Sequence, residues 1–439
     1  MSDPEATRNP LPPGTASIGA SLLVAGATSY GFLVVSARAL GTAEYAPLSA
    51  LWALVILIGP GMFLPLEQEV TRALAARRVQ GVGGRPLVRR ATILGTSLLG
   101  LLVLTMPVSG PLLTDHLFDG SAGLTLCLVL ALAGYCAAHL AKGVLSGAGR
   151  FRGYARYTGV ESASRFALCA VLAFAGVSSA GPYGLAVGLA PAVGVAAALF
   201  GEKELLQSGP PAPWSELWPA LGALLAGSLL SFGLINVGPL SVKLLATDAE
   251  ADQAGRFLVA LVVARVPLFL FQAVQAALLP RLSALAAEGD IDGLRRGLAR
   301  LLGWLAALGA VGTAGAAVLG PMAVRILFGS EYEIGSRTMA MLAASSAAYM
   351  IATAVAQANI ALSAHARTAC AWGAGVVAFV VTVLTASDDL FFRVELASLI
   401  GGVAALVAQL GLLRQRSRDH DALELGDAIE AVVDRPPLP

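Results

Sequence analysis

A single arginine lies near the middle of the apolar stretch VVARVPLFLFQ, residues 262–272. Arg265 shares a helical face with Gln272, seven residues later, and Gln275 lies one turn further along on the flank of that face. A guanidinium at the centre of a bilayer costs about 2.5 to 3.5 kcal/mol, so this polar face indicates the wall of an internal cavity. The candidate binding residues are therefore Arg265, Gln272, Gln275 and Asn236, which lies in the preceding apolar segment.

Phosphate binding is the chemistry that suits Arg265, because a guanidinium donates paired hydrogen bonds to phosphate oxygens. The alternative is that Arg265 only stabilises the helix bundle by pairing with a carbonyl or an acidic side chain. Glu69 and Glu161 lie near cytoplasmic helix ends, and the deep parts of the predicted helices contain almost no Asp or Glu. The sequence therefore favours the binding role and an anionic ligand.

Other charged residues in or near apolar segments allow two interpretations. Arg165 follows Glu161 by four residues, a spacing that predicts a structural ion pair on one helix. Arg38, at the outer end of the first helix, either reaches lipid headgroups or guards the mouth of a cavity. In LEQEVTR, Glu69 and Arg72 form either an exposed surface pair or an inner gate.

The loop GRFRGYARY, residues 149–157, is basic with interleaved aromatic residues. Beside a membrane, Arg150, Arg152 and Arg156 are expected to contact anionic lipid headgroups, at about 1 kcal/mol for each basic residue. Nucleic-acid binding is not expected.

Motifs for catalysis are missing from the sequence. It contains no GxxxxGK[ST] phosphate loop, HExxH or GxSxG motif, and its four histidines are scattered. The four cysteines lie inside apolar segments without CxxC spacing, so we expect buried thiols and neither disulfides nor a metal site. No catalytic residues and no cofactor are predicted, and without a phosphate-loop motif ATP hydrolysis by this chain is not expected.

The elements that position these residues are membrane spans. Of 439 residues, 56% are hydrophobic and 13% are charged, against about 25% charged in soluble domains. Apolar segments of about 20 residues, enough to cross a bilayer, recur about twelve times. Their approximate bounds are 15–37, 46–66, 91–109, 121–141, 159–180, 182–201, 217–242, 257–280, 301–321, 338–362, 369–386 and 394–413.

Charge placement predicts the topology of these spans. Basic residues cluster after the even-numbered spans, and acidic residues cluster after the odd-numbered ones. Because basic residues are retained in the cytoplasm, both termini are expected there. The polar start, MSDPEATRNPLPPG, lacks the features of a cleaved signal peptide, so the first helix is expected to remain. The predicted location is a bacterial cytoplasmic membrane.

A proline-rich stretch divides the chain into two halves. The predicted parts are a tail at 1–14, a six-helix lobe at 15–201, a cytoplasmic linker at 202–216, a second six-helix lobe at 217–413 and a tail at 414–439. Two short echoes, LSGAGR at 145–150 with LSAHAR at 362–367, and TRALAA at 71–76 with PRLSALAA at 280–287, suggest parallel repeats. Chance coincidence in a chain rich in Ala, Leu and Arg is the alternative.

Four longer segments together resemble a known family: ARALGTAEYAPLSALWAL, GRFRGYARYTGVESASRFAL, VARVPLFLFQAVQAALLPRLSAL and RILFGSEY. They look like the polysaccharide-exporter branch of the multidrug/oligosaccharidyl-lipid/polysaccharide (MOP) flippase superfamily. The resemblance implies an all-α integral membrane protein in which two six-helix lobes form a V around a central cavity, as in MATE transporters.

The resemblance also implies a function. Such flippases move polyprenyl-diphosphate-linked saccharides outward, and cationic cavity residues engage the diphosphate, a role that Arg265 and Arg38 could take. Expected partners are this lipid-linked substrate, membrane lipids, and glycosyltransferases and a polymerase of the same pathway. A peptidoglycan precursor is not expected, since the first helix has no basic residue before Arg38 and there are twelve spans rather than fourteen. The alternatives are a cation-coupled small-molecule exporter of the same fold and a membrane glycosyltransferase or polymerase.

Overall fold

The structure is a computed structural model of the chain. It describes residues 15–202, 205–217, 221–247, 250, 253–268, 271, 291–362 and 364–433. Among these residues all regular secondary structure is helical.

The first half of the chain contains five long helices and a short 3₁₀ helix, Trp214–Glu216, within the predicted linker. The five helices are α1 (Thr15–Val79), α2 (Arg85–His116), α3 (Ala122–Gly147), α4 (Phe151–Phe174) and α5 (Ala180–Leu199).

The second half contains six further described helices and a 3₁₀ turn, Ser330–Tyr332. The helices are α6 (Leu221–Leu245), α7 (Gln253–Ala264), α8 (Ile291–Phe328), α9 (Ser336–Ala361), α10 (His365–Thr385) and α11 (Leu390–Val433).

Nine of the helices in the described ranges are long and apolar enough to cross a membrane. Several of them expose large apolar side chains, among them Leu104 and Val108 on α2 and Val311 and Val318 on α8. Contiguous exposed apolar surface of this kind fits contact with lipid. The all-helical, multi-pass membrane architecture predicted from the sequence is confirmed.

Helix α1 holds the first two predicted spans. Its backbone is non-helical at Gly41, where φ is 69° and ψ is 177°. Glycine adopts this backbone region without the steric cost that a Cβ atom would add. The break at Gly41 therefore turns one 65-residue helical segment into two spans.

The eighth predicted span, 257–280, is not one continuous helix. Helix α7 ends at Ala264, residue 265 is a turn, and helical backbone resumes at residues 266–268. Pro267 contributes to the break, because it has no N–H to donate to the carbonyl four residues earlier.

The two halves repeat one packing pattern. In the first half α5 packs against both α3 and α4, and in the second half α11 packs against both α9 and α10. The echo LSGAGR joins α3 to α4, and LSAHAR joins α9 to α10. The two segments of this echo thus connect equivalent pairs of helices, as a repeat requires. The segment PRLSALAA of the other echo lies outside the described residues.

Small residues allow close helix contacts between α1 and α3. A Cβ atom on Gly143 would lie 3.0 Å from the backbone oxygen of Glu67, and one on Gly147 would lie 2.8 Å from Cβ of Leu74. Helices α1 and α3 therefore touch at backbone distance.

The expectation that all four cysteines are buried is wrong for one of them. Cys370 is exposed on α10, whereas Cys127, Cys136 and Cys169 are buried.

The described residues fall into two compact units. The first unit takes the residues up to Phe232 together with Pro239–Val259 and Arg325–Tyr332, and the second takes Gly233–Gly238, Ala260–Val324 and the residues from Glu333 onward. The predicted lobe boundaries, 15–201 and 217–413, stay a prediction.

Within the first unit, loops meet at two opposite sets of ends. Segments after odd-numbered spans meet where Lys243 contacts Asp119, with their Nζ and Oδ1 atoms 2.7 Å apart. Segments after even-numbered spans meet where Arg78 donates to the carbonyl of Ala148 at 2.7 Å. This alternation agrees with the predicted topology, and the cytoplasmic assignment of the basic end stays a prediction.

Hydrogen bonds and an ion pair hold the described part of the linker against the end of α1 that carries Arg77. Buried Arg77 binds both carboxylate oxygens of Glu216, at 2.7 Å and 2.9 Å. Arg77 also donates to the carbonyls of Gly83 and Pro210. The hydrogen bond from Arg77 lowers the pKa of Glu216 below its ordinary value of 4.5.

This contact predicts a pH-dependent contribution to stability. Because the pKa of Glu216 is lower in the folded protein, the contribution is complete above pH 4.5 and is lost as the pH falls through the lower folded value. We expect Glu216→Gln to lower the thermal unfolding midpoint in detergent at neutral pH, and this difference from wild type to shrink under acid conditions. A difference that stays constant with pH would contradict the role of the carboxylate.

Candidate functional site

Arg265 lies at the break after α7, inside the second unit. Its Nη1 atom donates to Oδ1 of Asn236 at 3.1 Å, and its Nη2 atom donates to the carbonyl of Ile235. Asn236 is buried in α6, and Arg265 is half-buried. Both of these hydrogen bonds end on oxygens of α6, so they orient the guanidinium relative to that helix.

The structure thus brings together two of the five predicted binding residues, Arg265 and Asn236, whereas Arg38 lies elsewhere, in the first unit. Gln272 and Gln275 lie outside the described residues. A cavity beside the break is lined by Ala264, Pro267 and Ser346, among others, and holds about 10 Å³. That volume suits about one water molecule, so this cavity is too small for a saccharide or a diphosphate.

The predicted pair of Arg165 with Glu161 on α4 is confirmed. The two side chains are hydrogen-bonded and buried, and Arg165 also donates to Oγ of Ser29 at 2.9 Å. The guanidinium carbon lies 4.9 Å from the centre of the Trp52 ring and 5.7 Å from that of Phe32. Ion pairing and cation–π contact together compensate the buried charge.

A second buried ionic cluster was missed by sequence reasoning. Oε2 of Glu67, on α1, lies 2.6 Å from Nδ1 of His139 and 2.8 Å from Nζ of Lys142 on α3. The hydroxyl of Tyr154, on α4, donates to Oε1 of Glu67 at 3.2 Å. We call these four residues the Glu67 cluster.

Aromatic side chains pack around Lys142 and His139 of the Glu67 cluster. Nζ of Lys142 lies 5.4 Å from the ring centre of Tyr154 and 5.6 Å from that of Tyr157. The rings of His139 and Tyr135 are stacked, with centres 6.1 Å apart. The cluster therefore ties three helices together through one carboxylate.

Three acidic residues near the ends of the predicted spans are buried by packing. Glu67, Glu161 and Glu395 are 6%, 8% and 0% exposed. The predicted spans end at residues 66 and 141, just before Glu67 and Lys142, whereas α1 runs to Val79 and α3 to Gly147. The sequence did contain a signal for this pair. Glu67 directly follows one apolar segment, and the basic residue Lys142 directly follows another.

Arg38 is exposed and bonded to the end of α8, and its contact with lipid headgroups or a cavity mouth stays a prediction. Its Nε atom donates to the carbonyl of Leu327 at 2.6 Å, and its Nη2 atom donates to that of Ile326. Both carbonyls belong to the last turn of α8, where backbone acceptors lack helical partners and a cation is favoured.

The gate candidates Glu69 and Arg72 are paired within α1. Nη2 of Arg72 lies 2.7 Å from Oε2 of Glu69 and also 2.7 Å from the carbonyl of Glu216. Glu69 is buried while the Arg72 side chain is 56% exposed. The pair is therefore not fully on the surface, and its role as a gate stays a prediction.

The three candidates for lipid contact differ in their surroundings. Arg156 donates to the carbonyls of Ala197 and Phe200, at 3.2 Å and 2.7 Å, and so caps the end of α5. Nε of Arg150 lies 3.9 Å from Oε2 of Glu202, and Arg152 is exposed. Arg150 and Arg152 thus remain accessible to headgroups, and lipid contact stays a prediction.

Within the described ranges, no group of three or more His, Cys, Asp or Glu side chains is arranged to hold a metal ion.

No protein-family profile matches the sequence. An uncharacterized protein of Mycobacterium tuberculosis is 26% identical over 445 residues, which cover 95% of this chain and 96% of that protein. An uncharacterized protein of Mycobacterium bovis is 26% identical over 380 residues, covering 81% of this chain and 82% of that protein.

Solved structures of MATE transporters resemble the whole chain. An inward-facing multidrug resistance MATE family transporter of the MOP superfamily has a TM-score of 0.68 at 14% identity, covering 89% of this chain and 94% of that one. A Vibrio cholerae MATE transporter has a TM-score of 0.65 at 15% identity, covering 92% and 96%. The chain therefore has the MATE transporter fold, as the sequence resemblance implied.

Because Glu161 and Arg165 interact directly, we expect the effects of their substitutions on the free energy of unfolding to be non-additive. We expect Arg165→Met to cost about 3 to 5 kcal/mol, because it leaves a buried carboxylate unpaired. The double variant Glu161→Gln with Arg165→Met should be more stable than Arg165→Met alone, since both charges are removed. Unfolding midpoints in detergent for the two single variants, the double variant and wild type measure this, and simple additivity would contradict a coupled pair.

Proposed function

We propose that this protein is a membrane exporter that moves a lipid-linked saccharide, carried on a polyprenyl diphosphate, outward across a bacterial cytoplasmic membrane by alternating access. The MATE fold supports transport, because all solved structures named above are transporters of that fold. The sequence resemblance to polysaccharide exporters supports the cargo. Export would supply a cell-surface polysaccharide and would depend on glycosyltransferases and a polymerase.

One observation carries the choice of an anionic cargo. The guanidinium of Arg265 lies at a helix break and is oriented by Asn236 Oδ1 and the Ile235 carbonyl, two neutral oxygens. A guanidinium is a charged, planar donor whose geometry matches phosphate oxygens, so its placement at a helix break supports an anionic ligand. The break itself supports ligand binding, since interrupted helices in transporters expose backbone groups at substrate sites.

The test is substitution of Arg265 in a strain that lacks its own copy of the gene. We expect Arg265→Ala to abolish surface polysaccharide while the protein still reaches the membrane, and Arg265→Lys to restore export only in part, because an ammonium cannot bind bidentately. Arg367→Ala, at an exposed position in the first turn of α10, is the matched control and should export normally. Normal export by Arg265→Ala would contradict the proposed role.

A binding assay with purified protein separates cargo from pathway effects. Native mass spectrometry with a polyprenyl diphosphate should show binding about 10- to 100-fold weaker for Arg265→Ala than for wild type. The uncharged polyprenol should bind both proteins equally. Equal binding of the diphosphate to both proteins would remove Arg265 as its ligand.

The Glu67 cluster favours a second candidate, a cation-coupled exporter of small organic cations. A buried carboxylate shared by Lys142 and His139 is the kind of group that can exchange a proton when its surroundings change. This candidate requires buried acids, and Glu67 and Glu161 supply them.

The second candidate predicts efflux driven by a pH gradient. In proteoliposomes, wild type should accumulate a fluorescent organic cation against its gradient, and Glu67→Gln should lose this accumulation because the exchangeable charge is gone. Glu202→Gln, which alters only the 3.9 Å contact with Arg150, is the control. Wild-type protein that moves no cation under a gradient would eliminate this candidate.

A further inference from the structure

An ion pair joins the two halves of the sequence inside the first unit. Nζ of Lys243, at the end of α6, lies 2.7 Å and 2.8 Å from the two carboxylate oxygens of Asp119 in the α2–α3 loop. The Lys243 side chain is 5% exposed and that of Asp119 is 51% exposed. A lysine so deeply buried requires a partner, and one half-exposed carboxylate supplies it.

The backbone holds Asp119 in an uncommon conformation. Its φ is +48°, and it is the one non-glycine residue with positive φ in the described part of the chain. Neighbouring bonds fix the loop: Phe118 N–H donates to the Leu113 carbonyl at 3.0 Å, and Gly120 N–H donates to that of Thr114 at 2.8 Å. Asp and Asn adopt left-handed backbone more readily than other residues with a side chain, so this loop conformation is compatible with Asp at position 119.

A second set of contacts joins the halves at the same end of the first unit. Arg38 binds the last carbonyls of α8, and the hydroxyl of Tyr332 donates to the carbonyl of Ala37 at 2.8 Å. The ring of Tyr332 meets that of Tyr45 edge to face, with centres 6.0 Å apart. These contacts surround the Gly41 break in α1. By the predicted topology this end faces outward.

We propose that Asp119–Lys243, assisted by Arg38 and Tyr332, is an outer latch that closes the extracytoplasmic end and must open in each transport cycle. The proposal rests on the exporter function but not on the identity of the cargo. Asp119 is accessible to water, so its contact can be exchanged. Lys243 is buried only while the latch is closed, and opening hydrates its ammonium group, which makes the closed and open arrangements two distinct states.

Spin labels test the latch without any cargo. Nitroxides placed at the exposed positions Leu112 on α2 and Leu244 on α6 leave the ion pair intact. Among the cysteines only the exposed Cys370 needs replacement, because the other three are buried. Double electron–electron resonance in nanodiscs should give two distance populations, and Asp119→Asn should shift their ratio towards the longer distance by about tenfold.

Asparagine is chosen at position 119 because it also tolerates left-handed backbone, so that only the charge changes. A single distance population, identical in both proteins, would overturn the latch. That result does not depend on what the protein transports, so it is distinguishable from a failure of the proposed cargo.

Disulfide trapping tests whether opening is required. With Cys370 replaced, the double variant Asp119→Cys with Lys243→Cys should lose polysaccharide export on oxidation and recover it on reduction. The matched control is Thr114→Cys with Thr125→Cys, whose hydroxyls lie 2.7 Å apart in the same region and both belong to the first half of the chain. The control should export in both redox states. Undiminished export by the oxidised 119–243 pair would overturn the proposal.

Discussion

Charge burial is the constraint on which the rest of this structure depends. An ionised group in hydrocarbon is costly, and each buried charge needs an opposite charge or a set of hydrogen bonds. In the first unit Glu161 offsets Arg165, and Glu67 offsets Lys142, with His139 and Tyr154 completing the bonds to the carboxylate. The formal charges balance, so the α1, α3 and α4 bundle can hold four ionised groups within its interior.

The same rule explains how distant parts of the sequence are joined. Lys243 is buried against Asp119, Arg77 is buried against Glu216, and Arg38 satisfies the final carbonyls of α8. Each contact brings a charge to a helix end or loop, where backbone acceptors and water reduce the cost. Arg265, at the break after α7, donates to Oδ1 of Asn236 and to the carbonyl of Ile235, both on α6.

Local patterns predicted much of the fold. The apolar segments and the i,i+4 pair on α4 both follow from spacing along one helix. Helix limits were less accurate: charged residues made the second and fourth spans appear to end at 66 and 141, although α1 and α3 continue. Charge pairs across helices allow a helix to continue past the point where hydropathy alone would end it.

Composition and residues within a few turns of each other were enough to predict a multi-pass helical protein, the alternation of its ends and the interruption of hydrophobicity at Arg265. Which charges meet depends on the packed structure. The partners in Glu67–Lys142, Asp119–Lys243 and Arg265–Asn236 belong to different helices or loops, 75, 124 and 29 positions apart. Their pairing is decided by helix packing, which no local pattern specifies.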